Sequence, residues 1–310
     1  MSYLPKVPHN ACQTIIDPNG DLFLIAKWPK IHHFKVSSKI LSLASPVFQS
    51  LLTDATRGPM NVLTIDVFCI IEALEIVLKI IHFQMEDIPK ALSLQYLLDI
   101  ARFTERYEMH RSLGMFPEIW VNNALERCEK SQYANDIQDW IYIFFVFENH
   151  DRFPEATKIL TYEFGPTMED EMVESLDPVF EAINERRFSY LKAWIDSIYS
   201  DYRSYIKRTK CADPACFAQE FVVGLFTRVL KKYKLLPRPK LEAEDLLTLE
   251  HLSKMFTELS SGLQNCPPCP AGNFHYRVIE MKPHFDEFEP FKLVDFKTCR
   301  PPTLGPYPGE

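Results

Sequence analysis

Glycine is scarce in this chain, with 9 in 310 residues, and none of them falls into a GxxxxGK[ST], GxGxxG or GxSxG pattern. The loops that cradle phosphate at a helix N-terminus, and the strained elbow that presents a hydrolase serine, need closely spaced glycines. The common nucleotide-binding and α/β-hydrolase folds therefore lose support. Long apolar runs are missing as well. The longest, Trp140 to Phe147, is less than half of the roughly 20 residues a helix needs to cross a bilayer. The opening Met-Ser-Tyr-Leu-Pro-Lys-Val-Pro-His lacks the apolar core of a secretory signal. Positive charge is in deficit, 34 Lys plus Arg against 42 Asp plus Glu for a net charge of -8, which opposes binding to nucleic acid. No repeat with a period of about 20 to 50 residues is visible, which argues against kelch blades, ankyrin stacks and zinc-finger arrays. Cysteine is sparse outside the C-terminal third. The eight cysteines, at 12, 69, 128, 211, 216, 266, 269 and 299, are expected to be thiols in a reducing compartment, so the expectation is a cytoplasmic or nuclear protein with no membrane partner.

What is present is a globular composition, 46% hydrophobic and 25% charged, in a chain long enough for two domains. Thr14 to Asp17 and Leu22 to Ile25 are β-prone, and Pro18-Asn19-Gly20 between them reads as a turn in which Gly20 takes positive φ, so the two runs predict a hairpin. Phe34-Lys35-Val36 alternates as a short third strand. Ser37 then stands at a helix start with Val36 packing on the first turn, and that helix is expected to bury Ile40, Leu41 and Ala44. Ser45-Pro46 restarts the chain as a second helix, Ser45 as N-cap and Pro46 at the first position, where its missing N–H costs nothing. Val47, Phe48, Leu51 and Leu52 face inward. A third helix, Asp66 to Phe83 with Asp66 as cap, is apolar over most of its circumference and must be buried on several sides.

The order strand, turn, strand from Asp21, then Phe34-x-Val-Ser-Ser-x-x-Leu-x-x-x-Ser-Pro-x-Phe48, resembles the start of a BTB/POZ domain of the filamentous-fungal type. Leu63-Thr-Ile-Asp66, the helix Ile70 to His82, Ile88-Pro89 and Tyr96-Leu-Leu-Asp-Ile-Ala-Arg-Phe-Thr-Glu-Arg-Tyr-Glu-Met109 are similar to later parts of that domain. Ser37-Ser38 stands where many animal members carry His-Lys. Trp120 is similar to a tryptophan that often follows the domain in fungal members, and it reads equally well as a core aromatic. The resemblance implies a non-enzymatic protein–protein interaction module that self-associates or binds a protein partner. The family also includes substrate adaptors of cullin-RING ubiquitin ligases, which carry a hydrophobic-x-Glu motif after the second short helix. The nearest match is Leu52-Thr53-Asp54, with Asp in place of Glu, so Leu52 and Asp54 are the candidate partner-binding residues for a cullin. A transcription-associated regulator is a third expectation, without a visible DNA-binding module. Pro5 and Pro8 interrupt the residues ahead of Thr14 and oppose exchange of an N-terminal strand.

Beyond about Leu113 apolar residues recur at helical spacing, through Phe116 to Cys128, Ile137 to Phe147 and Val173 to Ile206. The predicted class is α+β: an N-terminal tail (1–12), a BTB/POZ-like domain of small sheet and short helices (13–113), an all-α region (114–263), a Cys/Pro-rich and aromatic docking segment (264–298) in which Phe291 to Phe296 dock on the helices, and a disordered tail (299–310).

Cys211-Ala-Asp-Pro-Ala-Cys216 and Cys266-Pro-Pro-Cys269 have metal-like spacing, with two expected helices, Phe217 to Tyr233 and Glu244 to Leu263, between them. Four thiolates, or three with His275, suit one structural zinc. Closing a loop of about 50 residues costs roughly 3.5 kcal/mol against the roughly 10 to 16 kcal/mol of structural zinc, so the metal would dominate. Pro268 and Pro270 weaken the expected support for the sulfurs, and the alternative is a metal-free proline loop. Four cysteines would close the site and leave no position for catalysis, so no catalytic residue is expected. His32-His33 reads as an exposed loop pair. Arg228, Lys231, Lys232, Lys234, Arg238 and Lys240 read as a solvated face, and Glu169-Asp-Glu171 with Glu174 as an acidic helix start.

Overall fold

A computed structural model of the chain describes residues 12–26, 30–54, 62–65, 70–165, 174–207, 217–240, 247–266 and 288–297. Its strands pair differently from the expected hairpin. The strands β1 (Cys12–Ile15), β2 (Leu22–Ala26), β3 (His32–Val36) and β4 (Val62–Ile65) form one sheet in the order β1-β3-β2-β4. The hairpin is β2 with β3, antiparallel with Leu24 opposite Phe34. On the outer sides β1 runs parallel to β3 and β4 parallel to β2.

The reason lies in the turn after β1. The amides of Ile16 and Asp17 both donate to the carbonyl of Lys35 at 3.0 Å, which carries the chain past the end of β3 instead of back along β1. Gly20 is needed there for space and not for a positive φ: a Cβ at Gly20 would lie 2.5 Å from the Val36 carbonyl oxygen. In β2 the neighbouring side chains Leu22, Phe23 and Leu24 are all buried, so both faces of this central strand are covered and its apolar run is continuous.

The helix starts follow their caps. The side chain of Ser37 accepts from the amide of Ile40 to open α1 (Ser38–Ala44), and Ser45 accepts from Phe48 at 3.0 Å to open α2 (Pro46–Asp54). Then come α3 (Ile71–Ile81) and α4 (Leu94–Arg106). Asp66, the expected cap of α3, lies outside the described residues; the amide of Ile70 is taken instead by Asp99 of α4 at 2.9 Å. As the apolar circumference of α3 requires, Ala73, Leu74, Ile76, Val77, Leu78, Ile80 and Ile81 are all buried.

A 3-10 turn (His110–Leu113) leads to α5 (Phe116–Arg127), α6 (Lys130–Asn135) and α7 (Ile137–Val146). By compactness the chain divides into two units after Phe153. In α7 every residue from Trp140 to Val146 is buried, and the helix packs on α4. The Trp120 indole in α5 donates to the Pro89 carbonyl at 2.7 Å. These helices complete the core of the sheet-containing unit. The chain leaves that unit within α8 (Arg152–Glu163).

The second unit is helical. It contains the long α9 (Asp177–Lys207), α10 (Ala218–Lys232) and α11 (Leu249–Leu263), which pack pairwise around Leu191, Ile195, Val222, Phe226, Leu252, Met255 and Phe256. The basic run on and after α10 is exposed to solvent, with Lys232 2.6 Å from Glu258.

Glycine scarcity leaves a mark on the helix ends. Phe83, Glu108, Glu148 and Lys234 follow α3, α4, α7 and α10 with φ of 61°, 50°, 57° and 59°. The next amide in each case reaches back five residues, from Gln84, Met109, Asn149 and Leu235 to the carbonyls of Lys79, Thr104, Phe144 and Leu230, at 2.8 to 2.9 Å. This is the left-handed helix stop that glycine usually fills. Side chains there carry a strain of about 1–2 kcal/mol, which glycine relieves in part because its unfolded chain is freer. The side chain of Lys234 is exposed, so Lys234→Gly is expected to raise stability by about 1 kcal/mol in chemical denaturation. A lowered midpoint would show that the Lys234 side chain supports the fold.

Candidate functional site

The polar groups of the first unit converge on the two ends of α1. At its start, Asp21 accepts from both the amide (2.8 Å) and the hydroxyl (2.7 Å) of Ser38. The amide of Ser37 donates to Nε2 of His82 at 3.1 Å, while Nδ1 of His82 lies 2.8 Å from the Leu78 carbonyl. An amide can only donate and a carbonyl only accept, so His82 is neutral with its proton on Nδ1. Burial holds its pKa below the ordinary value, against the opposing pull of the Leu78 carbonyl and Asp17.

At the other end, the Ser45 hydroxyl donates to the Tyr107 carbonyl and the Ser112 hydroxyl to the Ala44 carbonyl, the latter at 2.6 Å. The elbow between α1 and α2 is thus pinned to the end of α4 and to the 3-10 turn. Beside these pins stand two large apolar side chains, Leu43 at 80% and Met115 at 70% exposure. Leu43 falls on the face of α1 opposite the buried Ser38 and Leu41, where a polar residue is the rule, while Ile40 and Ala44, expected inward, are only half-buried. Met115 gave no signal of its own.

Leu52 and Asp54 belong to the last turn of α2 rather than to a loop, and Leu52 is buried. The hydrophobic member of the expected cullin motif is therefore used by the core. The His32-His33 pair is not an exposed loop pair: both residues lie in β3, and the alternation of that strand buries His32 together with Phe34 and Val36. Nε2 of His32 is 2.8 Å from the Thr14 hydroxyl, and its ring lies 4.5 Å from that of Phe34. Burial again lowers the pKa, with Glu75 pulling the other way.

Cys211, Cys216, Cys269 and His275 lie outside the described residues, so only one expected zinc ligand is placed. Cys266 is half-buried after α11, against the helical core. Among the described residues no group of His, Cys, Asp and Glu side chains has the arrangement of a metal site, and no helix is long and apolar enough to cross a membrane. Burial, Asp136 and Glu129 push the Cys128 thiol up, which opposes a role as nucleophile. Phe291, Leu293 and Phe296 are buried as expected, and Phe288 joins them. No protein-family model and no curated protein matches the chain.

His82 and His32 are both held below the ordinary value of 6.5. The unfolded chain therefore takes up protons before the folded one does, so their contribution is complete above pH 6.5 or so and declines as pH falls below it. Urea midpoints are expected to drop between pH 7 and pH 5.5, and His82→Gln should flatten that drop. An identical pH profile in the variant would assign the effect to other groups.

Proposed function

We propose that the chain is a non-enzymatic protein–protein interaction module of BTB/POZ type, whose first unit self-associates through the α1–α2 elbow around Leu43 and Met115. The observation that carries the reading is the exposure of Leu43 and Met115 on backbone pinned by Ser45 and Ser112. Isolated exposed apolar residues are ordinary, but two held out beside such fixed backbone offer a pre-organised contact. The family assignment is supported by the β2–β3 hairpin with β4 beside β2, and by the two capped short helices that follow Phe34-x-Val-Ser-Ser. The adaptor reading draws less support, because Leu52 is already buried in its own helix.

In a twofold contact each substitution acts twice. Burial of a leucine contributes about 1.5–3 kcal/mol, so Leu43→Asp should weaken self-association by about 100-fold or more. Light scattering across a concentration series is expected to show a wild-type dimer and a monomeric variant whose circular dichroism matches the wild type, because Leu43 is exposed within the protomer. A wild-type chain that stays monomeric at every concentration would reject the proposal.

For the cysteine loops we retain one structural zinc as the proposal, held by Cys211, Cys216, Cys266 and Cys269, with His275 as the alternative ligand. Purified protein should then contain about one equivalent of zinc and lose it in Cys216→Ser, with the helical unit destabilised first. Metal-free protein whose melt is unchanged by a chelator would leave a plain proline loop.

A further inference from the structure

Residues 288–297 behave in the second unit as a bound peptide does. Phe288, Phe291, Leu293 and Phe296 are buried, while Glu289, Pro290, Lys292, Val294 and Asp295 between them are exposed. The segment thus presents one side to the helices, ending in a single helical turn, Val294–Lys297. Phe288 sits in an aromatic cage. Its ring meets Tyr190 at 4.8 Å, Tyr162 at 5.5 Å and Trp194 at 5.8 Å, all edge-on, the geometry favoured by ring quadrupoles. Arg186 supplies the polar part: it donates to the Glu289 carbonyl at 2.7 Å and lies over the Phe291 ring at 3.5 Å.

This division of labour, apolar contacts for spaced anchor side chains and one charged group that reads the main chain, is that of a peptide-recognition groove. Its walls, Tyr162 of α8 with Arg186, Tyr190 and Trp194 of α9, come from helices far from the segment in sequence. Residues 267–287, 21 in number, separate the segment from the end of the helical core at Cys266.

We propose that the α8–α9 groove is a peptide-binding site for a partner protein presenting Phe-x-x-Phe-x-Leu. The chain's own Phe288-Glu-Pro-Phe-Lys-Leu293 is its resident ligand in cis. Because it belongs to the same chain, the resident segment masks the groove against weak competitors and yields to strong or multivalent ones. The cage sets the specificity for aromatic anchors, and Arg186 favours a segment with acidic flanks, as Glu289 and Asp295 provide here.

The test cuts the tether without removing the segment. A site-specific protease sequence is inserted after His275 in the full-length chain, and the probe is a fluorescein-labelled peptide of residues 285–297. After cleavage, polarisation is expected to show peptide binding at least tenfold tighter than to the uncut chain, with release of the severed fragment. Trp194→Ala or Arg186→Ala in the cleaved protein should abolish it. As a second route, Phe288→Ala with Phe291→Ala in the uncut chain should open the groove to the same probe. A severed fragment that does not exchange under excess peptide would overturn the proposal. So would loss of helical circular dichroism when the fragment leaves, or failure of both preparations to bind while folded, and the segment would then be a fixed part of the helical core.

Discussion

Two consecutive amides, at Ser37 and Ser38, decide how the first unit is assembled. Both belong to the start of a short helix that has no internal partner for them. One is satisfied by Asp21 at the entry to β2, the other by His82 at the exit of α3. Sheet, first helix and central helix are therefore tied at one point by side chains from three separate stretches. Losing either acceptor would leave a partly buried donor unmade, at about 1–3 kcal/mol.

The local parts of the fold were readable and the distant pairings were not. Ser37, Ser45 and Pro46 announce two helix starts within ten residues, and the structure uses all three as a short-range argument demands. The helical runs at Phe116 and Ile137 were equally legible from their periodicity. Strand pairing was not, since a turn signal at Pro18-Asn19-Gly20 says that the chain bends and is silent on which strand receives it. The partners of the helices were hidden for a related reason. A helix apolar on every side, such as α7, must be covered by something, but its sequence does not say that α4 does the covering. His32 shows the same limit: read as a loop residue it is polar and exposed, whereas one position of strand register turns it inward beside Phe34.

At the candidate site, the legible part was chemical type and the hidden part was access. Leu52 was expected both to face inward and to belong to a partner-binding motif, and it is core. Leu43 looked like one more apolar residue of a short helix, and it proved to face solvent. In the docking segment, Phe291 to Phe296 were anticipated from their aromatic spacing. Phe288, which makes the densest ring contacts, was not, because its partners Tyr162, Tyr190 and Trp194 lie on two other helices. In each instance burial is a property of the neighbours and not of the residue.

The left-handed helix stops carry a further meaning. At a helix end a glycine takes the left-handed stop without steric cost, because its own backbone accepts it. Phe83, Glu108, Glu148 and Lys234 have no such preference; they are held by the packing of the residues just beyond them, as with Met109 and Leu235, both buried directly after the stop. Cut out as a peptide, the stretch that forms α10 would have no reason to end at Lys232, and would wind on through Lys234 and Leu235 until Pro237 blocked it. Helix length in this protein is thus set by the assembled domain and not by the segment. Any event that loosens the packing behind one of these stops is free to lengthen the helix in front of it.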